Sequence, residues 1–284
     1  MREVLTMWRD VRMVSLTVVI TAIYLAGLIP SKGLVIVPGF TEVRPGSALP
    51  VAFSLMFGPA AAWGSAIGNL LGDLFGGTFT AGSAWGFVGN FFMGFVGYKL
   101  WGNLRPLSAD EEPAMRSVRQ VVEYLLIALV TALGTASIIA WGLDALGVFP
   151  FSTIATIIGV NNFVAAGIIG PVLLYFLYEP AARAGMTYPA VMGPEQLPDV
   201  PAERRRLAAW GIAAVAVAWF VLGILASVAF EGVRLGAMPG GDAPIGAAGS
   251  PIQLVLGAAA FLALLGVALV SGDRLSDLYR ARRE

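Results

Sequence analysis

Four amides and two carboxylates interrupt stretches that are otherwise apolar: Asn69, Asp73, Asn90, Asp144, Asn161 and Asn162. Leaving a buried polar group unmet costs about 1–3 kcal/mol, and a charge at the centre of a membrane helix costs about 2.5–3.5 kcal/mol on insertion scales. Such groups therefore either bind something or join helices. Asn69 and Asp73 are four residues apart, so both face one neighbouring surface of a helix. Asp73 reads as a carboxylate facing a ligand, near Thr78, Thr80 and Ser83. It reads equally as a helix-end carboxylate that meets water or pairs with Arg44. Asn90 lies between Gly86 and Gly94, and Asn161 and Asn162 between Gly159 and Gly167. For any one of these amides, a helix-to-helix hydrogen bond is the plainer explanation. Trp85 and Trp141 fall toward the same end as Asp73 and Asp144, where they either form an interfacial belt or stack on a flat ligand. Glu42 and Arg44 could pair with each other or cap a pocket from above. Glu231, Arg234 and Asp242 receive no role.

Much chemistry is excluded. The chain has no histidine and no cysteine, so disulfides, thiolate nucleophiles, histidine metal sites and a Ser-His-Asp triad are ruled out. No phosphate-binding loop, dinucleotide fingerprint or calcium loop is present. Gly72-Asp73 resembles half of an intramembrane aspartyl protease site, but Asp144 has no comparable glycine–aspartate context. The formal charge is zero, which gives no overall field for nucleic acid. Neither a metal nor a cofactor is expected.

The elements that carry these residues are membrane helices. Apolar types make up 57% of the 284 residues and charged types only 13%, against roughly 45–50% and 25% in soluble domains. The continuous apolar runs argue against a β-barrel. Eight segments are expected to be spans: residues 13–29, 49–57, 60–75, 84–101, 118–146, 152–178, 207–230 and 251–270. The first is read as an uncleaved helix because 27–30 offers no small-x-small cleavage site. Gly58-Pro59 breaks the second from the third. With the N-terminus in the cytoplasm, 15 of the 18 basic residues fall on the cytoplasmic side, as the positive-inside rule requires. Both termini are then cytoplasmic. Gly64, Gly68 and Gly72 recur every four residues and give the third span a bare stripe for close helix contact.

Leu55-Met56-Phe57-Gly58-Pro59, followed by the spaced glycines 64, 68 and 72 and by Asp73, carries a resemblance, as does Gly170-Pro171 near the end of the sixth span. Over about residues 10–180 the chain resembles the substrate-binding S components of energy-coupling factor transporters. Arg44-Pro45-Gly46 and the apolar run after it look most like the queuosine-precursor transporter group. The resemblance implies an all-α membrane protein of the cell membrane that binds a vitamin-like solute from outside. On this chain the ligand region would draw on Glu42, Arg44, Asp73, Trp85, Asn90, Asp144, Asn161 and Asn162. It also implies a scaffold membrane subunit, docking on small residues of the first helix such as Ala22 and Ala26, and two cytoplasmic ATPases. S components end after six helices, whereas here residues 181–206 form a proline-rich cytoplasmic linker and 207–284 add two spans and a basic tail. The expected organisation is thus a six-helix binding bundle over 1–180 plus two extra helices.

Three other readings remain. A stand-alone, ion-coupled permease needs an ionisable group that changes protonation midway, and Asp73 is the one such group expected within the first six spans. A lipid-acting membrane enzyme usually shows aspartate-rich or histidine motifs, which are absent. A structural subunit follows if the polar residues merely join helices.

Overall fold

A computed structural model describes residues 2–37, 41–42, 44–109, 111–193, 195–233 and 246–281. Side chains of 32, 33 and of the residues in two short strands are outside that description. Each of the eight apolar segments expected from the sequence is helical. They are α2 (Val11–Leu28), α3 (Ala48–Phe57), α4 (Pro59–Phe75), α5 (Gly82–Leu100), α6 (Val118–Ala145), α7 (Phe151–Arg183), α9 (Ala202–Ala229) and α10 (Pro251–Val270). Three short helices accompany them: α1 (Arg2–Thr6), α8 (Tyr188–Met192) and α11 (Leu275–Ala281).

Among the described residues, the helices α2, α6, α7, α9 and α10 are long and apolar enough to cross a membrane. The chain is a multi-pass membrane protein. The shortest of the other three, α3, has 10 residues, so it rises about 15 Å, roughly half a hydrocarbon core. The fold is all-helical apart from one short connection. Residues Val35–Val37 (β1) pair antiparallel with Thr41–Glu42 (β2) in the connection that follows α2. A β-branched run beside proline and glycine favours an extended hairpin over a helix there.

Local chemistry sets the helix ends. Asp10 caps α2, its carboxylate accepting from the backbone N–H groups of Arg12 at 2.8 Å and Met13 at 3.2 Å. Gly58 separates α3 from α4 with φ +49°, and Pro59 starts the next helix. A Cβ on Gly58 would also run into the Tyr188 ring. Ser117 caps α6.

Packing follows from where side chains are missing. Gly64, Gly68 and Gly72 of α4 lie against Ile20, Tyr24 and Leu28 of α2, and Thr21 Oγ1 donates to the Gly64 carbonyl at 3.3 Å. The bare stripe is therefore a helix interface. On α5, Gly94 meets the backbone of Ala61 and Ala62, and Gly97 meets Ser54. Short α3 is buried along nearly its whole length among α4, α5 and α7. The α9–α10 pair packs on α6, where Trp141 meets Trp219 at 5.8 Å and Phe261 at 5.6 Å between ring centres.

At the end of the bundle where α2 begins, charge is buried. Lys99 Nζ lies 2.7 Å from Glu3 Oε1, with both side chains shielded from solvent. Burial, the largest single influence, works to raise the Glu3 carboxyl, but the Lys99 ammonium together with the amino-terminal charge and the hydrogen bonds to the group holds it below its ordinary range. Tyr98 donates to Glu3 Oε1, and Tyr188 donates to Asp273 and lies 3.1 Å from Ser276 Oγ. The stretch between α7 and α9 is thus pinned to the core by Tyr188, which is fully buried.

Candidate functional site

At the other end, where α2 gives way to the hairpin, a small polar cavity lies between α4, α5, α6 and α7 beneath Arg44. Helix α4 presents Asn69 and Asp73, one turn apart and both buried. Helix α5 can approach them because residue 86 is glycine: a Cβ there would lie 2.7 Å from Asn69 Nδ2. One turn further along α5, Asn90 donates through Nδ2 to the Gly86 carbonyl at 2.8 Å and accepts from Tyr24 Oη at 2.7 Å. Helix α7 contributes Asn161 and Asn162, while Ile139, Leu143 and Ile158 give the cavity an apolar side.

The turn between α4 and α5 closes one flank. Thr78 Oγ1 donates to Asp73 Oδ1 at 3.4 Å and its N–H to the Asp73 carbonyl at 2.9 Å. The N–H of Thr80 donates to Ser83 Oγ at 3.2 Å. Above the cavity, Arg44 Nη1 donates to Asn69 Oδ1 at 3.2 Å, and the Arg44 N–H reaches Asn161 Oδ1 at 3.4 Å. The loop that leads into α3 is thereby fastened across the opening to α4 and α7. The Asn162 amide borders the cavity with no hydrogen bond to any described residue.

The enclosed volume is about 50 Å³. That is room for a few waters, well below the roughly 300–1,000 Å³ of ordinary ligand clefts. A solute larger than a few waters requires Arg44 and its loop to withdraw.

Of the residues singled out from the sequence, Arg44, Asp73, Asn90, Asn161 and Asn162 border this one cavity. The side chain of Glu42 is outside the described residues, as are Arg234 and Asp242. Trp85 and Asp144 lie elsewhere. The Trp85 ring packs edge-on against Trp141 at 5.1 Å and Phe261 at 6.4 Å, at the junction of α5, α6 and α10, in space left by Gly142. It does not border the cavity. Asp144 is a structural tie: Oδ2 accepts from the Phe151 N–H at 2.9 Å and Oδ1 from the Gly249 N–H at 3.2 Å. Ala22 and Ala26 are exposed on the outer face of α2.

Four further cavity groups, Asn69, Thr78, Thr80 and Ser83, were visible in the sequence as polar neighbours of Asp73 but not as wall residues, and Ser47 was not singled out. Tyr24 was missed. Its signal is spacing alone, since it shares a face of α2 with Ile20 and Leu28.

A family model described as QueT transporter matches residues 14–179, more than half of the chain. The chain belongs to the QueT transporter family. The matched region begins inside α2 and ends inside α7, so it contains every described group around the cavity. It stops before the α9–α10 pair, consistent with the sequence resemblance over the first six segments. No curated protein and no solved structure matches the chain.

Proposed function

We propose that this QueT family member binds a small, vitamin-like or heterocyclic solute in the cavity under Arg44, from the outer side of the cell membrane, and is not itself an enzyme. The observation that carries the reading is the clamp of Arg44 on Asn69 and Asn161 over a cavity rich in amide and hydroxyl groups. Donors and acceptors from four elements converge there, and Asn162 is left to bond to something else. A flat heterocycle edged with N–H and C=O groups would exchange hydrogen bonds with such walls. Leaving any of these walls unpaired would penalise a solute of the wrong pattern.

We further propose that transport uses a scaffold membrane subunit and two cytoplasmic ATPases, as in energy-coupling factor transporters. The exposed Ala22 and Ala26 on α2 support this, because small residues four apart let a partner helix approach closely. The chain would be recovered from membranes together with a membrane subunit and ATPases. Ala22→Leu would abolish that recovery while leaving solute affinity unchanged. Recovery of the chain alone, with solute uptake intact, would favour the ion-coupled permease reading, for which Asp73 at the cavity wall is the buried titratable group.

A further inference from the structure

A second and much larger cleft, of about 670 Å³, lies at the opposite end of α2, between the N-terminal segment, the loop before α9 and the end of α10. Arg2, Arg9 and Arg204 line it, opposed by Glu195 and Asp199. None of these five is ion-paired with a described residue. The third carboxylate at the cleft, Glu3, is already matched by Lys99. Three guanidinium groups against two carboxylates leave one positive charge.

The walls are held in place. Arg205 Nη1 donates to the Val200 carbonyl at 3.2 Å, Arg280 Nη2 to the Leu197 carbonyl at 3.3 Å, and Arg205 pairs with Asp277. Thr6 Oγ1 is buried at the cleft with no hydrogen-bond partner among the described residues. The cleft also runs into an apolar surface. Leu269 is 66% exposed, and Leu265 and Leu262 continue the same exposed strip along α10. Also on the N-terminal segment, Leu5 is 69% and Trp8 42% exposed, the pattern of residues placed at headgroup depth.

We propose that this cleft binds one anionic glycerophospholipid, its phosphodiester held by Arg2, Arg9 and Arg204 and its acyl chain lying on α10. One net positive charge complements one phosphodiester, and forked guanidinium donors suit phosphate oxygens. A choline headgroup brings its own cation and gains less. The inference is independent of the solute reading, since no group at this cleft borders the cavity under Arg44.

Native mass spectrometry of the delipidated full chain, titrated with dioleoyl phosphatidylglycerol or dioleoyl phosphatidylcholine, tests it. The expected result is one phosphatidylglycerol per chain, bound at least tenfold more tightly than phosphatidylcholine. Combined Arg9→Gln and Arg204→Gln changes, both at exposed positions, would erase the preference, while Arg12→Gln with Arg206→Gln would keep it. Leu269→Gln would weaken phosphatidylglycerol binding without restoring phosphatidylcholine. Equal binding of the two lipids, or a preference that survives the Arg9/Arg204 changes, would overturn the proposal. So would displacement of the lipid by an equal concentration of glycerol 3-phosphate, which would mark a site for free phosphate esters.

Discussion

The guanidinium of Arg44 donates to Asn69 Oδ1 at 3.2 Å across 25 positions of chain, fastening the loop after α2 to the wall of the cavity it covers. Its backbone N–H is fixed to Asn161 on α7. One residue thus links the cover to two walls, and solute entry requires at least one of these bonds to break.

Asn69→Ala removes the acceptor and one wall amide together. Solute affinity is expected to fall at least tenfold by calorimetry. The melting temperature should move little, because Arg44, freed from this bond, can turn toward water at the cavity mouth.

Two glycines of α5 separate binding from packing. In Gly86→Ala the new methyl meets the end of the Asn69 amide, which can rotate, so affinity should drop severalfold with a small stability change. In Gly94→Ala the methyl meets the backbone of Ala61 and Ala62 at 2.7–2.9 Å, which cannot move aside. Thermal unfolding in detergent should then show a loss of about 1–3 kcal/mol, with affinity unchanged in the folded fraction.

Asp144→Ala should cost stability and not binding. The carboxylate satisfies the first N–H of α7, and leaving that donor unmet costs about 1–3 kcal/mol; the Gly249 N–H keeps the Asp144 backbone carbonyl at 2.8 Å. A solute affinity reduced tenfold would instead place Asp144 in the binding machinery.

Glu3 gives a pH signature. Its folded-state carboxyl is held below the ordinary range chiefly by Lys99, so its stabilisation is complete above the unfolded value, about 4.3. It is lost as pH falls through the folded value. Glu3→Gln removes the carboxylate paired with Lys99, leaving Asp273 as the ammonium's remaining carboxylate neighbour, and should destabilise by up to about 3–5 kcal/mol at neutral pH. Below pH 4 the melting curves of the two proteins should converge. Curves that stay parallel down to pH 3 would contradict the assignment.

The fold was legible where a pattern is local. The four-residue glycine repeat announced a close helix contact, though not that α2 makes it, because a missing side chain every turn leaves one bare line on a helix. Gly58-Pro59 announced the α3–α4 break through backbone chemistry alone. The hairpin after α2 and the Tyr188 anchor were not legible, since proline and glycine punctuation reads only as loop, and burial of one ring depends on distant Gly58 and Asp273. Around the cavity, the sequence offered polar side chains in apolar runs but not their partners. Trp85 and Asp144 carried the same signal as Asn90, yet each also has a partner beyond residue 245, Phe261 on α10 and Gly249 respectively. That contact is set by how the last two helices dock on α6, which no local spacing records.

The most direct measurement is mass spectrometry of small molecules retained by the detergent-purified chain, beside Asp73→Ala and Asn162→Ala, with melting temperatures for all three. The account predicts one solute per chain in the native protein and its loss from both variants, with folding preserved. Re-adding that solute at 100 times its dissociation constant should stabilise the native chain by about 2.7 kcal/mol. Equal retention by both folded variants, or a native chain that holds nothing and is stabilised by no candidate heterocycle, would contradict it.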